Sequence, residues 1–182
     1  MNLNLKARDV EIRVAMVEDG AALAEIGYAS FREAYEGTCS TEDLYVHLHG
    51  YFSAAAIREE LLCPGRTYLM ATVDEEPAAF VKLREGENPD AVPQKNVLEI
   101  QQFYVSPDHQ RLGLGGRLMD VVFDFARESA VGGFWLSVWE DADWAVQFYL
   151  DRGFEQVGTA DFPLGSTVYN DYLMWCPVLE RN

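Results

Sequence analysis

The sequence predicts a mixed α/β fold in which a central sheet carries helices on both faces. Segments with the period-two alternation of strands stand before, between and after segments with helical spacing of apolar residues. The chain has 182 residues, the length of one domain, and can bury a substantial core. Hydrophobic residues make up 49% and charged residues 24%, a globular composition, so we expect a single domain over residues 1–182.

Each predicted element has a local signal. Alternating apolar and polar residues mark strands, apolar residues three and four apart mark helices, and Gly and Pro mark ends. In chain order the predicted elements are a strand at 10–17, a helix at 18–35, two helices within 41–62, a hairpin of strands at 66–73 and 78–84, a polar loop at 85–96, a strand at 98–105, a helix from Leu112 onward, a strand at 136–140, a helix at 145–153, and strands at 154–157 and 168–176.

The segment from Leu98 to Phe125 carries the most specific signal. Its strand leads through a Pro-Asp turn into a loop with glycines at 113, 115 and 116, and a helix with one apolar face follows. The start of such a helix leaves several backbone N–H groups without internal partners. Those donors and the positive end of the helix dipole suit an anionic phosphate.

Two familiar glycine-loop patterns do not fit this loop. The dinucleotide pattern places glycine at its first, third and sixth positions, but the sixth position from Gly113 is Leu118. The P-loop closes with Gly-Lys-Ser/Thr, whereas Gly116 is followed by Arg117 and Leu118. The pattern that remains is Gln110-x-x-Gly113-x-Gly115, which resembles the acyl-CoA pyrophosphate loop of the GNAT N-acetyltransferase superfamily. Taken alone, these glycines could equally mark a simple helix start.

A second segment strengthens this resemblance. A strand at 136–140 precedes a helix carrying Ala145, Phe148 and Tyr149 at helical spacing, and Gly153-Phe154 closes that helix. This order resembles the second acyl-CoA motif of the same superfamily. The resemblance covers residues 11–178 and is strongest over 98–159. It implies a GNAT-like α/β (α+β) fold with a central mixed, mostly antiparallel sheet of six to seven strands.

Within the superfamily the chain resembles bacterial spermidine/spermine N-acetyltransferases, through residues 98–100, 136–140 and 171–174. One position departs from the family pattern. Relatives carry Asn three residues before the Ala of the second motif, where it contacts the cofactor, but this chain has Ala142 there. Either a neighbouring group replaces the Asn or the cofactor binds more weakly.

The resemblance implies acetyl transfer from acetyl-CoA to a primary amine, with no metal. An alkyl ammonium must first lose a proton, which costs roughly 4–5 kcal/mol at neutral pH. Glu99, on the strand where relatives place their base, is the expected proton acceptor, and Gln101 or Gln102 could hold a relay water. The expected proton donor to the leaving CoA thiolate is Tyr149. Plainer roles, as a surface strand residue for Glu99 and as core packing for Tyr149, remain open.

The resemblance also assigns binding residues. Backbone N–H groups are expected to stabilise the oxyanion and hold the thioester, while loop amides and arginines hold the pyrophosphate. The expected cofactor-binding residues are Phe103, Tyr104, Val105, Gln110, Arg111, Leu112, Gly113, Leu114, Gly115, Gly116 and Arg117. The expected substrate-binding residues are Tyr35, Glu36 and Gln101, with Glu42 and Asp43 in the same region. His47 and His49 point apart on a helix and predict no metal site.

Charge and cysteine content limit the classes of binding partner and the cellular environment that we expect. The net charge of −16 argues against nucleic acid and favours a cationic substrate, although acidity for solubility alone would look the same. The three cysteines are odd in number and widely spaced, which indicates a reduced protein. With no signal peptide and no apolar run long enough to span a bilayer, we expect a cytoplasmic protein with no membrane partner. A homodimer is common among similar proteins and stays open.

Two alternatives to a polyamine acetyltransferase remain at this point. The chain could acetylate a protein amino group or another small amine. It could also be a non-catalytic acyl-CoA-binding regulatory module, an alternative that the missing Asn favours.

Overall fold

The computed structural model describes residues 9–178, which form one seven-stranded sheet with helices on both faces. The strands are β1 (Val10–Val14), β2 (Arg66–Val73), β3 (Glu76–Arg84), β4 (Leu98–Val105), β5 (Gly133–Trp139), β6 (Glu155–Leu164) and β7 (Thr167–Pro177). The helices are α1 (Gly20–Tyr35), α2 (Thr41–Tyr51), α3 (Ala54–Leu61), α4 (Leu114–Glu128) and α5 (Asp143–Asp151). Short 3₁₀ turns occupy Val17–Asp19 and Pro107–His109. The predicted fold class is confirmed.

The strand order is β1-β2-β3-β4-β5-β7-β6, and every neighbouring pair is antiparallel except β4 and β5. That parallel pair is short. Only Leu98 faces Phe134 and Glu99 faces Trp135, after which the two strands share no further partners. The sheet is therefore continuous at the start of β4 and divided towards its end. We call this opening the β4–β5 gap.

A bulge at Gln101 changes which side chains of β4 face α4. The β3–β4 register passes from Gln102 opposite Lys82 to Ile100 opposite Leu83, so Gln101 has no partner on β3. Because one extra residue reverses the alternation, Ile100 before the bulge and Phe103 after it pack in the same core cluster. The bulge therefore re-aims the second half of β4.

The two faces of the sheet have separate helical layers. Helices α4 and α5 cover one face, where Leu118, Met119 and Val122 pack against β2 to β5 in the largest core cluster. Helices α1 to α3 cover the other face, where smaller clusters include Leu23 and Ile57. The amphipathic spacing predicted these two layers.

The C-terminal hairpin is longer than the sequence predicted. Strand β6 runs over ten residues, where the expected strand covered four. Gly158 and Pro163 weaken the strand signal, but β6 lies at the edge of the sheet, where a proline without an N–H is tolerated. The hairpin of β2 and β3 turns through Asp74 and Glu75, whose φ values of 51° and 70° match a two-residue type I′ turn.

The first strand is shorter than predicted. It ends at Val14, and a 3₁₀ turn replaces its expected last residues. Asp19 stabilises this turn because its carboxylate accepts from the backbone N–H of Met16 and pairs with both terminal nitrogens of Arg13. Within residues 9–178, no helix combines the length and apolarity that crossing a bilayer requires.

Candidate functional site

The loop before α4 presents a run of unused backbone N–H groups. None of the six N–H groups from Arg111 to Gly116 has an acceptor within residues 9–178, and Arg117 makes the first bond into the helix, 3.2 Å to the Gly113 carbonyl. Arg111 and Gly113 have φ values of 62° and 73°, the left-handed conformation that occurs in backbone turns whose N–H groups bind anions. Together with the α4 dipole, these donors suit a diphosphate.

The side chains of this loop divide between surface and core. Arg111, Leu112 and Arg117 are exposed, so both guanidinium groups are available near the N–H run, whereas Leu114 is buried. A Cβ atom on Gly113 would meet no atom within 4 Å, which leaves the surface above the loop open.

Gln110 differs from the other predicted loop residues. Its backbone N–H donates to the Pro107 carbonyl at 3.4 Å, so it offers no free amide. Its side-chain amide donates to Glu33 on α1 at 2.9 Å and to the Val105 carbonyl at 3.4 Å. Gln110 thus ties the loop to α1 and to the end of β4.

Tyr149 on α5 lies where the two sequence motifs meet. Its ring centroid is 6.4 Å from that of Phe103 on β4 and 5.3 Å from that of Phe148. A Cβ atom on Gly115 would lie 3.6 Å from Phe103 and 3.7 Å from Phe148. The structure therefore brings the glycine loop, the gap edge of β4 and Tyr149 together.

The Tyr149 hydroxyl is suited to donate a proton. The side chain is only 8% exposed, and burial raises the pKa of its phenol, with a further rise from Tyr104. The raised pKa keeps the phenol in its neutral, proton-bearing form at neutral pH. A neutral phenol can donate to a group that enters the gap.

Glu99 lies at the closed end of the β4–β5 gap. It faces Trp135, the last residue of β5 that pairs with β4, and its carboxylate is ion-paired with Arg84 at 2.5 Å. Its side chain is 12% exposed. The structure does not bring Glu99 next to Tyr149, because four residues of β4, about 13 Å of strand, separate Glu99 from Phe103, whose ring lies beside Tyr149.

Aromatic side chains surround the open end of the gap on the α1 face. The rings of Tyr35, Trp139 and Tyr169, which we call the aromatic trio, lie with centroids 5.3–5.4 Å apart in each pair. Burial raises the pKa of Tyr35, and negative charge on Asp171 and on Tyr104 raises it further. Tyr35 packs in one cluster with Tyr104 of β4 and Tyr169 of β7.

Other predicted substrate residues lie apart from this cluster. Glu36 is exposed and pairs with Arg32 at 3.9 Å on α1. Gln101 is the exposed bulge residue of β4. Asp43 accepts from the backbone N–H and the hydroxyl of Ser166 at 3.1 and 3.0 Å, which fixes α2 to the β6–β7 turn. Glu42 is exposed in the first turn of α2.

The three histidines pack against aromatic rings or lie in a turn. His47 stacks on Phe31 at 4.3 Å, and burial lowers its pKa. His49 stacks on Tyr45 at 3.9 Å, and His109 ends a 3₁₀ turn. In the described residues, no group of three or more His, Cys, Asp or Glu side chains is placed to hold a metal ion.

Two residues of this region were missed by the sequence analysis. Arg152 donates to the Gly116 carbonyl at 3.0 Å and pairs with Asp120 at 2.8 Å, which places a cation beside the N–H run of α4. Asp171 is a buried carboxylate beside the aromatic trio. The alternation of β7 does give an indication for Asp171. It lies between Tyr169 and Leu173 in the set of alternate residues that are buried.

Ala142 occupies the N-cap position of α5 and makes no side-chain cap. Its carbonyl accepts from Ala145 at 2.8 Å and from Val146 at 3.0 Å, so the backbone of the family motif is formed. The flanking Asp143 makes no cap hydrogen bond in its place. No neighbouring group within the described residues replaces the missing Asn side chain at this cap.

Comparisons with known proteins fit this geometry. The model of the acetyltransferase (GNAT) family matches residues 48–154, which include the α4 loop and Tyr149. An uncharacterized N-acetyltransferase encoded in the pepI 3′ region of Lactobacillus delbrueckii subsp. lactis is 28% identical over 149 residues, which cover 82% of this chain and 86% of that protein.

Solved structures share the fold. PaiA N-acetyltransferase from Thermoplasma acidophilum, crystallised in complex with coenzyme A, has a TM-score of 0.75 at 21% identity, covering 93% of this chain and 99% of that one. The ribosomal-protein-S18-alanine N-acetyltransferase from Escherichia coli has a TM-score of 0.70 at 17% identity, covering 96% and 97%. These matches leave the narrower polyamine likeness a prediction. The chain itself belongs to the GNAT acetyltransferase family and is an acetyl-CoA-dependent N-acetyltransferase.

Proposed function

We propose that this enzyme acetylates a primary amine of a small polycation, such as a polyamine, by direct attack on acetyl-CoA in a ternary complex. The β4–β5 gap is the observation that carries this proposal. The N–H run and Tyr149 border the gap on the α4 side, and the aromatic trio borders it on the α1 side. Donor and acceptor can therefore approach the same opening from opposite faces.

The donor would bind through its diphosphate. The N–H groups from Arg111 to Gly116 would donate to its oxygens, and Arg111 and Arg117 would add positive charge. Arg152 would add a third cation beside Gly116. The pantetheine arm would then enter the gap along Phe103 to Val105, where backbone N–H groups not used by β5 are available to the thioester oxygen.

The acceptor must lose a proton before it attacks. Glu99 is the proposed acceptor of that proton, and because its carboxylate is engaged by Arg84 at the closed end of the gap, the proton would travel through water. Gln102 supports such a relay. Its Oε1 atom is buried and has no hydrogen-bond partner within residues 9–178, so it can accept from an ordered water.

The neutral nitrogen then attacks the thioester carbonyl carbon, and the C–S bond breaks as the tetrahedral intermediate collapses. Tyr149 would give its phenolic proton to the departing sulfur, since burial keeps the phenol protonated. The second proton of the nitrogen restores Tyr149 through solvent. The products are the N-acetyl amine, free CoA thiol and the proton that Glu99 received.

The net charge of −16 supports a cationic acceptor, because long-range attraction raises its local concentration. An acidic surface does not by itself separate polyamines from basic peptides. Acetylation of a protein amino group or another small amine, and a non-catalytic acyl-CoA-binding role, are the alternatives that the experiment must separate.

A thiol-release assay over a panel of amines tests the proposal. Turnover with spermidine and not with lysyl peptides is expected, with Tyr149→Phe and an amine-free reaction as controls. Turnover with lysyl peptides alone would establish the protein-directed alternative. Binding of acetyl-CoA in calorimetry without turnover of any amine would overturn the catalytic proposal.

A further inference from the structure

Asp171 on β7 is a carboxylate that the described protein leaves without a cation. Its side chain is 5% exposed, and its Oδ1 atom is buried with no hydrogen-bond partner within residues 9–178. No lysine, arginine or histidine of that range forms an ion pair with it. A buried carboxylate without a cation costs free energy, and it is usually retained for a specific reason.

The surroundings of Asp171 favour a positive charge. Glu140 at the end of β5 adds a second negative charge that raises the pKa of Asp171, while the Ser137 hydroxyl lowers it and burial raises it most, to about 6. At neutral pH the carboxylate is therefore still mainly ionised. The electrostatic potential beside the two carboxylates is therefore negative, which favours binding of an ammonium group.

Aromatic rings complete the surroundings. Trp139 faces Asp171 across the β5–β7 ladder, and Tyr169 lies two residues before it on the same side of β7. Tyr35 reaches this point from α1, with its ring centroid 5.4 Å from that of Trp139 and 5.3 Å from that of Tyr169. Trp139 and Tyr35 are half-buried, so the cluster connects Asp171 with the surface. Aromatic faces attract cations, most strongly where water is excluded.

The position of Asp171 relates it to the gap. It faces Trp139, four residues beyond Trp135, where β5 last pairs with β4. Four residues of strand span about 13 Å, so Asp171 lies beside the open end and Glu99 beside the closed end. Tyr35 lies between the two sides of that end, since it packs in one cluster with Tyr104 of β4 and with Tyr169 of β7. A molecule reacting in the gap could extend a second group to Asp171.

We propose that Asp171 and the aromatic trio bind the second, non-reacting ammonium group of a diamine or polyamine acceptor, an inference that rests on the proposed function. The ammonium would donate to Oδ1 of Asp171 and lie beside the rings of the aromatic trio. An acceptor with a single ammonium cannot do this, because its one nitrogen must reach the thioester. The site therefore selects diamines over lysyl side chains.

A matched pair of acceptors tests this inference. Putrescine carries two ammonium groups, and its amino-alcohol counterpart replaces one of them with a hydroxyl. The wild-type enzyme is expected to favour putrescine in kcat/KM by about 100-fold, and Asp171→Asn should reduce that preference to a few-fold, mainly through a higher KM for putrescine. The kcat for the amino alcohol should change little.

Asp161→Asn is the matched control. Asp161 is exposed on β6 and directly follows Ala160, the residue that pairs with Asp171. Its substitution removes the same unit of charge. If the two substitutions had equal effects on the putrescine preference, net charge alone would explain them and the inference would be overturned. An unchanged preference in Asp171→Asn would also overturn it, provided that coenzyme A binding is retained.

A second variant and a binding measurement cover the remaining outcomes. Trp139→Leu removes an aromatic wall without changing charge, and the preference for putrescine should fall in the same direction if Asp171→Asn does not fold. If the wild-type enzyme releases no thiol with any amine, the proposed function fails. Calorimetry of putrescine with the coenzyme A-loaded protein then decides the inference, because binding lost only in Asp171→Asn supports it and unchanged binding overturns it.

Discussion

Glu99 and Trp135 are the last facing pair between β4 and β5, and the sheet is open beyond them. Residues on either side of this pair therefore have different roles. Leu98, just before this pair, packs in the core where the sheet is continuous. Phe103, re-aimed by the bulge at Gln101, instead lines the opening beside Tyr149. The experiments below address the loop, the helix and the buried acid that border this opening.

Tyr149→Phe should lower kcat by about 100-fold, the scale of one general acid. The ring contacts with Phe103 and Phe148 do not need the hydroxyl, so the KM for acetyl-CoA should stay within a few-fold of wild type. Steady-state thiol release measures both quantities. Tyr45→Phe on the exposed face of α2 is the control, and a wild-type kcat in Tyr149→Phe would remove the proposed acid role.

Gly113→Ala should weaken coenzyme A binding by about tenfold. Alanine at a φ of 73° is strained by about 1 kcal/mol and would flatten the N–H run. Gly37→Ala is the matched control, because Gly37 has a φ of 87° and, like Gly113, no atom within 4 Å of an added Cβ. Both variants should lose similar stability in urea unfolding, and only Gly113→Ala should lose affinity in calorimetry. Equal affinities in the two variants would argue against the loop as the diphosphate site.

Ala142→Asn should restore the contact that the family pattern provides. Because Ala142 is an uncapped N-cap residue, Asn should stabilise α5 by about 1 kcal/mol and should also tighten coenzyme A binding by several-fold. Ala142→Asp separates the two effects, since aspartate caps the helix equally well but adds a negative charge. Thermal unfolding and calorimetry give the two readouts. If Asn raises the Tm without changing the affinity, this position does not limit cofactor binding.

Asp171 should make the protein less stable as the pH rises. Its pKa of about 6 in the folded state exceeds the value of about 3.9 expected after unfolding, so the folded state binds the proton more tightly. The stabilisation is fully present below about pH 4 and is lost as the pH rises through about 6. Two pKa units correspond to roughly 2–3 kcal/mol as an upper bound.

Asp171→Asn cannot ionise, so the variant should be more stable than wild type by about 1–2 kcal/mol near pH 8 and should lose this advantage near pH 4. Urea unfolding at the two pH values measures the difference. Of the neighbouring groups, Tyr35 and Tyr169 stay neutral over this range, and the Glu140 carboxylate is present in both proteins. A stability difference that does not vary with pH would contradict the raised pKa.

Local sequence patterns indicate some parts of the candidate site. The glycine loop and the Phe-Tyr pair of α5 were recognisable because their spacing is fixed along the chain. Their contact through Phe103 required the tertiary structure, since the bulge at Gln101 that turns Phe103 towards α5 has no pattern of its own. Asp171 was missed for a related reason. Its proposed role rests on its burial without a cation among residues 9–178, which only the packed structure reveals.

The open end of the sheet divides the chain into two sets of segments. Residues that border the α4 side lie between positions 103 and 152, whereas the aromatic trio and Asp171 come mainly from α1 and the β6–β7 hairpin, which Asp43 and Ser166 fasten to α2. If the proposed sites are correct, exchanging α1 and the β6–β7 hairpin between homologues should change the amine preference and leave coenzyme A binding unchanged, with Trp139 of β5 as the one acceptor residue outside the exchanged segments.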